Sequence, residues 1–166
     1  FAEKLGLELP VRPLRGQIAL LKGKPGLLKR IVNVGPCYLV PRDDGRILVG
    51  STVEDAGFDA KPTDKGIADL LEFVARTAPA LAKLPVEKTW AGLRPATPDG
   101  LPFLGRCGDL ENAWVATGHY RAGLQLSTGT AAVMADALCG QQPEIPLEAF
   151  SPDRHTADCY ALSCEV

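Results

Sequence analysis

The run WAGLRPATPDGLPFLG, Trp90 to Gly105, is followed by ATGHYRAGLQLSTGT, Ala116 to Thr130, and together they set two arginines, Arg94 and Arg121, in Gly-flanked segments beside apolar stretches. An arginine near a core is costly to hold unless a planar anion meets its guanidinium, because an unpaired buried charge loses its hydration. GLRP, read as a strand leaving into a proline turn, therefore suggests a carboxylate clamp at Arg94. The second run passes from Gly123 straight into a small-residue helix. The first turn of such a helix offers backbone N–H groups and a positive dipole end to an electron-rich ligand. A ligand with a carboxylate and one with a polar ring fit the two segments.

Periodicity supplies the scaffold around them. RGQIALLK, Arg15 to Lys22, has the Val/Ile/Leu-rich look of a buried strand. CYLVPR (Cys37 to Arg42) and RILVGST (Arg46 to Thr52) flank Asp43-Asp44-Gly45, a hairpin signal with Gly where positive φ is wanted, so the two strands are expected as antiparallel neighbours. Pro62-Thr63-Asp64 opens a helix that Thr63 or Asp64 can cap, with Ile67, Leu70, Leu71, Val74 and Ala78 at helical spacing and Pro79 at its end. A strand from Lys88 to Leu93 delivers Arg94 to its turn, and Asp99-Gly100 turns the chain into Pro102 to Leu104. Ala113 to Thr117 is a short strand feeding the Gly118 to Gly123 loop, where Thr117 and Ser127 are both candidate caps. The last helix, about Leu124 to Leu138 with Gly140 as its stop, is apolar around most of its circumference and so is expected to be covered in the intact protein. The pattern predicts an α+β fold, an antiparallel or mixed sheet with a few helices, in one compact body over residues 1–166.

Composition excludes more than it identifies. Eighteen basic against 20 acidic residues give a net charge of −2, no electrostatic footprint for nucleic acid or a membrane surface. The short basic stretches Lys22 to Lys24 and Lys29 to Arg30 read as solvated strand ends. No apolar run reaches the length of a membrane span and no leader pattern opens the chain, so a cytoplasmic location is the default expectation. Five cysteines, an odd number without a C-x-x-C pair, argue against a zinc site and a complete disulfide framework. Cys159, Cys164 and His155 fall in a tail, residues 155–166, expected to be loose, with reduced thiols and a solvated imidazole. Ser-His-Asp order, a G-x-S-x-G elbow and a metal-ligand cluster are all lacking, and no metal is expected.

The two arginine runs, with CYLVPRDDGRILVGSTVED from Cys37 to Asp55, resemble the flavin-dependent D-amino acid oxidase superfamily, and most closely its glycine oxidase branch, associated with thiamine biosynthesis. The likeness runs from PLRGQ, Pro13 to Gln17, through FSPDR, Phe150 to Arg154. It covers the C-terminal part of such an enzyme. The G-x-G-x-x-G turn that holds the ADP portion of FAD in this family is not in the sequence, and the chain begins at Phe1, so a fragment is expected, inactive by itself. The resemblance implies that about residues 11–90 form the substrate-domain sheet and helix, and that about 91–154 return to the FAD domain. It also implies flavin oxidation of an amine to an imine, hydrolysed to a keto acid or, for glycine, glyoxylate, with oxygen reduced to hydrogen peroxide. The flavin performs the redox chemistry, so no catalytic acid/base residue is expected.

Carried over residue by residue, Arg94 sits where the family's GLRP arginine binds the substrate carboxylate through a fork that a lysine does not reproduce. Its competing reading is an arginine stapling turn carbonyls. Arg121 in HYRAG matches the second arginine, near flavin and substrate, against a plain surface arginine. Tyr38 matches the tyrosine whose hydroxyl reaches the carboxylate, against a core or surface tyrosine. His119, Tyr120, Arg121, Ala122, Gly123, Leu124 and Gln125 match the loop and helix start that wrap the flavin's pyrimidine edge, with His119 packing or hydrogen-bonding rather than acting as a base. Pro36 stands where glycine oxidases carry a histidine, and Val53 where a methionine lines the substrate pocket. A change of one or two methylene-sized groups alters discrimination among glycine, sarcosine and small D-amino acids by only about 1–3 kcal/mol. No cysteine is placed like the one that attaches FAD in monomeric sarcosine oxidases, so noncovalent FAD is expected. The expected partners are a small amino acid or amine and the N-terminal FAD-binding part, with room for a homo-oligomer. Sarcosine or D-amino acid oxidases and dehydrogenases, including the cyanide-forming glycine dehydrogenase subunit, are the neighbouring enzymatic readings. A non-catalytic module that binds a small carboxylate or a partner is the reading from another class.

Overall fold

A computed structural model describes residues 2–108 and 110–154. The tail that carries His155, Cys159 and Cys164 lies outside the described residues. The chain divides into two compact units, residues 13–93 and residues 2–12 with 94–154. The elements combine short strands and two helices in an α+β arrangement, as the periodicity predicts.

The first unit is a five-stranded sheet in the order β2-β3-β4-β1-β5. Its strands are β1 (Arg12–Leu21), β2 (Val32–Val34), β3 (Cys37–Pro41), β4 (Ile47–Gly50) and β5 (Val86–Ala96). The hairpin read from Asp43-Asp44-Gly45 forms as expected, with β3 and β4 antiparallel and Leu39 opposite Val49. Gly45 has φ +88 and stands against the Lys24–Pro25 backbone, so only a residue without Cβ fits that corner. Strand β1 runs antiparallel to β4, Ala19 opposite Val49, and is buried along most of its length because it lies inside the sheet. Strand β2, which no sequence signal announces, adds antiparallel to β3 at the edge.

Helix α1 (Asp64–Thr77) starts where the cap residue dictates: the Thr63 hydroxyl accepts the Gly66 N–H at 3.1 Å. Leu70, Phe73 and Val74 recur at i, i+3, i+4 and pack on Ala19, Leu21, Leu39, Ile47 and Val49 of the sheet. Each such side chain contributes about 1.5–3 kcal/mol when fully withdrawn from water. The helix stops at Thr77, and Pro79 opens a 3-10 turn that returns Leu81 to the same core. Phe73, absent from the predicted face, belongs to it; Ile67, Leu71 and Ala78 are only half-buried against it.

Arg94 does not sit in a turn. Strand β5 continues through Arg94, Pro95 and Ala96, three residues past the expected end at Leu93. The physical reason is the sheet order: β5 is an edge strand, where proline's missing N–H costs no ladder bond.

In the second unit β6 (Phe103–Arg106) and β7 (Trp114–Thr117) form a two-stranded antiparallel ladder, Phe103 opposite Thr117. Helix α2 (Gly123–Leu138) rests on it through Val133 and Met134, which meet Leu104, Trp114, Leu147 and Phe150. The remainder of α2 is largely open: Leu124 is 91% exposed, Leu138 57% and Leu126 46%. Neither Thr117 nor Ser127 caps it. The N-cap is Ala122, with no side-chain bond, and the Ser127 hydroxyl donates back to the Leu124 carbonyl at 2.8 Å. Among the described residues no helix is long and apolar enough to cross a membrane.

Candidate functional site

Two of the residues singled out by sequence, Tyr38 and Val53, belong to the first unit. Tyr38 is half-buried on β3, between Asn33 of β2 and Gly50 of β4. A Cβ on Gly50 would fall 2.6 Å from the Tyr38 hydroxyl oxygen, so the phenol lies flat across that glycine. An aromatic ring covering a cross-strand glycine is a common way to fill the gap the glycine leaves. Tyr38 therefore has a defined place that depends on its neighbour having no side chain.

Val53, half-buried, follows β4 and is fixed from both sides. The Thr52 hydroxyl accepts the Gln17 N–H at 3.0 Å, and Glu54 exchanges both backbone bonds with Arg15 at 2.8 and 2.9 Å. Beneath this segment lies a partly buried polar network, centred on the buried Arg15 and Gln17, that sequence reading missed. Arg15, 7% exposed, donates from Nη2 and Nε to Glu54 Oε2 at 2.6 and 3.2 Å, and from Nη1 to Asp59 at 3.0 Å and the Lys61 carbonyl at 3.2 Å. Gln17 Nε2 donates to Glu54 Oε1 at 2.7 Å and to the Thr63 hydroxyl at 3.0 Å, while Gln17 Oε1 accepts the Thr63 N–H at 2.7 Å. Burial pushes the Glu54 carboxyl up, but hydrogen bonds from Thr52, Arg15 and Gln17, with the Arg15 charge, outweigh it and hold the group below its ordinary value. The network had one sequence signal: Arg15 and Gln17, two apart, share a strand face.

The second unit holds Arg94 and the whole stretch from His119 to Gln125. The segments of the two arginines are tied together by one backbone bond, the Tyr120 N–H to the Pro95 carbonyl at 3.0 Å. Arg94 precedes the acceptor residue and Arg121 follows the donor residue, so both arginines leave the chain next to this bond. Tyr120 has φ +50, the left-handed region that costs a non-glycine residue roughly 1–2 kcal/mol. The bond to Pro95 and the Ala122 N–H to His119 carbonyl bond, 3.0 Å, hold it there. His119 is half-buried, and its Nε2 shares a 2.9 Å hydrogen bond with the Thr130 hydroxyl of α2. The Arg121 guanidinium lies 5.9 Å from the centre of the Tyr120 ring, at the outer limit of a cation–π contact. Gly118, φ +84, starts the loop, and a Cβ there would collide with the Thr97 methyl. Thr97 was not foreseen. Its hydroxyl is the buried side-chain polar atom without a hydrogen-bond partner among the described residues.

The uncapped start of α2 decides whether this unit suits a flavin edge. Gly123, Leu124 and Gln125 present a helix N-terminus with no side-chain cap, and Leu124 and Leu126 present exposed apolar surface on the same turn. N–H donors at a positive dipole end, beside apolar side chains, form a donor set matched to an electron-rich planar ring. The residues fit the group.

Comparison with known proteins agrees with that chemistry. The family described as FAD dependent oxidoreductase, DAO, matches residues 1–137. The chain belongs to this family. It is 42% identical over 148 residues to a glycine oxidase of Pseudomonas aeruginosa, covering 89% of this chain and 41% of that protein. To the hydrogen cyanide synthase subunit HcnC of Pseudomonas aeruginosa it is 40% identical over 143 residues, covering 86% of this chain and 34% of that one. The crystal structure of glycine oxidase from Geobacillus kaustophilus superposes with a TM-score of 0.88 at 34% identity, over 93% of this chain and 42% of that one. This DAO-family chain thus spans about two fifths of the length of the glycine oxidases it matches.

Proposed function

We propose that the chain is the C-terminal part of an FAD-dependent amine oxidase of the glycine oxidase type, converting glycine, oxygen and water to glyoxylate, ammonia and hydrogen peroxide. The observation that carries the reading is the Tyr120 to Pro95 bond, which sets the Arg94 strand end beside the Arg121 loop at the uncapped start of α2. In this reading Arg94 clamps the substrate carboxylate with two parallel charge-assisted hydrogen bonds, and Arg121 adds positive charge at the acid end. On the family resemblance, Tyr38 and Val53 are assigned to substrate binding, the tyrosine through its hydroxyl and the valine through its shape.

His119 to Gln125 hold the pyrimidine edge of a noncovalently bound FAD. When bound, FAD supplies the two-electron oxidation of the C–N bond that protein side chains cannot perform. The α2 N-terminus stabilises negative charge on the ring through N–H donors and the helix dipole. His119, bonded to Thr130, orients the loop. The rest of the FAD site and the cover for the exposed face of α2 come from the N-terminal part. Residues 13–93 act as the substrate domain in a soluble, cytoplasmic enzyme.

Peroxide release by the full natural polypeptide, supplied with FAD and tested on glycine, sarcosine, D-alanine and D-proline, tests this function. Peroxide with glycine supports it. Peroxide only with sarcosine or a D-amino acid reassigns the substrate, and flavin reduction without peroxide assigns a dehydrogenase. No flavin binding leaves the small-carboxylate module as the function.

A further inference from the structure

The carboxylate and flavin reading gives the guanidinium of Arg154 no role. All five of its N–H groups are engaged. Nε and Nη2 form a fork on Asp99, 2.7 Å to Oδ2 and 3.0 Å to Oδ1. Nη2 also reaches the Leu101 carbonyl at 2.7 Å, and Nη1 reaches the carbonyls of Pro102 at 3.1 Å and Ser151 at 3.2 Å. Its flat face lies 3.8 Å from the centre of the Phe103 ring, which is wholly buried. A lysine supplies neither the fork nor the plane.

What this clamp holds is the seat of the His119–Gln125 loop. A Cβ placed on Gly118 would lie 3.5 Å from Pro102 Cα and 3.6 Å from the Phe103 nitrogen, so Gly118 rests on the backbone that Arg154 grips. Phe103 pairs with Thr117, the residue immediately before Gly118. The remaining contact under Gly118 is the Thr97 methyl, two residues from Asp99. Arg154 is hydrogen-bonded to the Asp99–Phe103 turn, the Gly118 backbone lies against that turn, and Tyr120 follows Gly118 by two residues along the chain.

We propose that Arg154 is a positioning residue for the loop assigned above to the flavin: it locks the Asp99–Phe103 turn on which Gly118 sits, and so fixes the register in which Tyr120 meets Pro95 and the first turn of α2 is presented. It touches neither the ring nor the substrate. The proposal rests on the flavin reading for its consequence, although its mechanical part stands on the contacts alone.

The test compares the full natural polypeptide with its Arg154→Gln and Arg154→Lys variants by amide hydrogen exchange and by FAD titration. In Arg154→Gln the Tyr120 and Ala122 amides are expected to exchange about tenfold faster or more, while the amide of Cys139, the residue that caps the C-terminus of α2, keeps its rate. The FAD dissociation constant rises about tenfold or more in parallel, and Arg154→Lys restores little of either, because it lacks the fork. If Arg154→Gln fails to fold, Arg154→Lys carries the same comparison. Exchange that rises equally throughout the unit, or not at all at Tyr120, overturns the proposal. Wild-type protein that binds no FAD, with Tyr120 still released in the variant, sinks the flavin reading and leaves the positioning role intact. Released amides with an unchanged FAD constant overturn the link to flavin affinity.

Discussion

Tyr38 and Gly50 make one unit, since the phenol occupies the space a Cβ on Gly50 would need. Gly50→Ala is therefore expected to tilt the ring and raise the glycine KM severalfold in the full enzyme, with flavin affinity unchanged. Steady-state kinetics beside an FAD titration reads both, and an unchanged KM removes Tyr38 from the substrate site. Asp99 gives a pH signature. Its fork with Arg154 and the Leu101 N–H hold its carboxyl below the ordinary aspartate value, against the opposing effect of burial. A carboxyl depressed in the fold adds stability that is fully present above its unfolded pKa, about 3.9, and is lost as pH falls through the lower folded value. The gap in melting temperature between wild type and Asp99→Asn should therefore be constant near neutrality and close progressively below about pH 4. A gap that stays constant into acid contradicts the assignment.

At the scale of elements, legibility followed the range of the interaction that fixes each one. The Asp43-Asp44-Gly45 hairpin and the Thr63 cap are local, and both were readable because one or two residue types decide them. Thr63 also receives Gln17 Nε2, a contact from a strand 46 residues away that no local pattern reveals. Thr63→Ala thus removes a cap and a buried hydrogen bond together, and should cost about 1–2 kcal/mol in a denaturant melt. A loss of only a few tenths would mean that the cap is not needed. Strand β5 runs past Pro95, which reads as a stop in the sequence, because the strand's edge position makes a proline harmless. The α2 caps were misplaced for the converse reason. Polar residues near a helix start invite assignment as caps, yet Ala122 stands at the cap position and Ser127 bonds back within the helix.

For the whole molecule, the α+β class and the family were both visible in the sequence, the first from periodicity and the second from the two arginine runs. The polar networks around Arg15 and Arg154 are not, since their ion pairs join residues 39 to 55 positions apart and pairs of that span leave no periodic trace. They tie Glu54, next to Val53, to β1, and the Asp99–Phe103 turn to Arg154, while α2 keeps an exposed apolar face. In the proposed function the Arg94 strand end and the Arg121 loop serve one flavin amine oxidase site. Its most direct test is anaerobic addition of glycine to the FAD-loaded full polypeptide, followed by the visible absorbance of the flavin. Bleaching that saturates with glycine is expected in the wild type. In Arg94→Ala the glycine concentration needed should rise and the second-order rate fall by about thirtyfold or more, the equivalent of about 2 kcal/mol for a lost ion pair. A flavin that glycine leaves oxidised, or an Arg94→Ala protein reduced as readily as wild type, would contradict it.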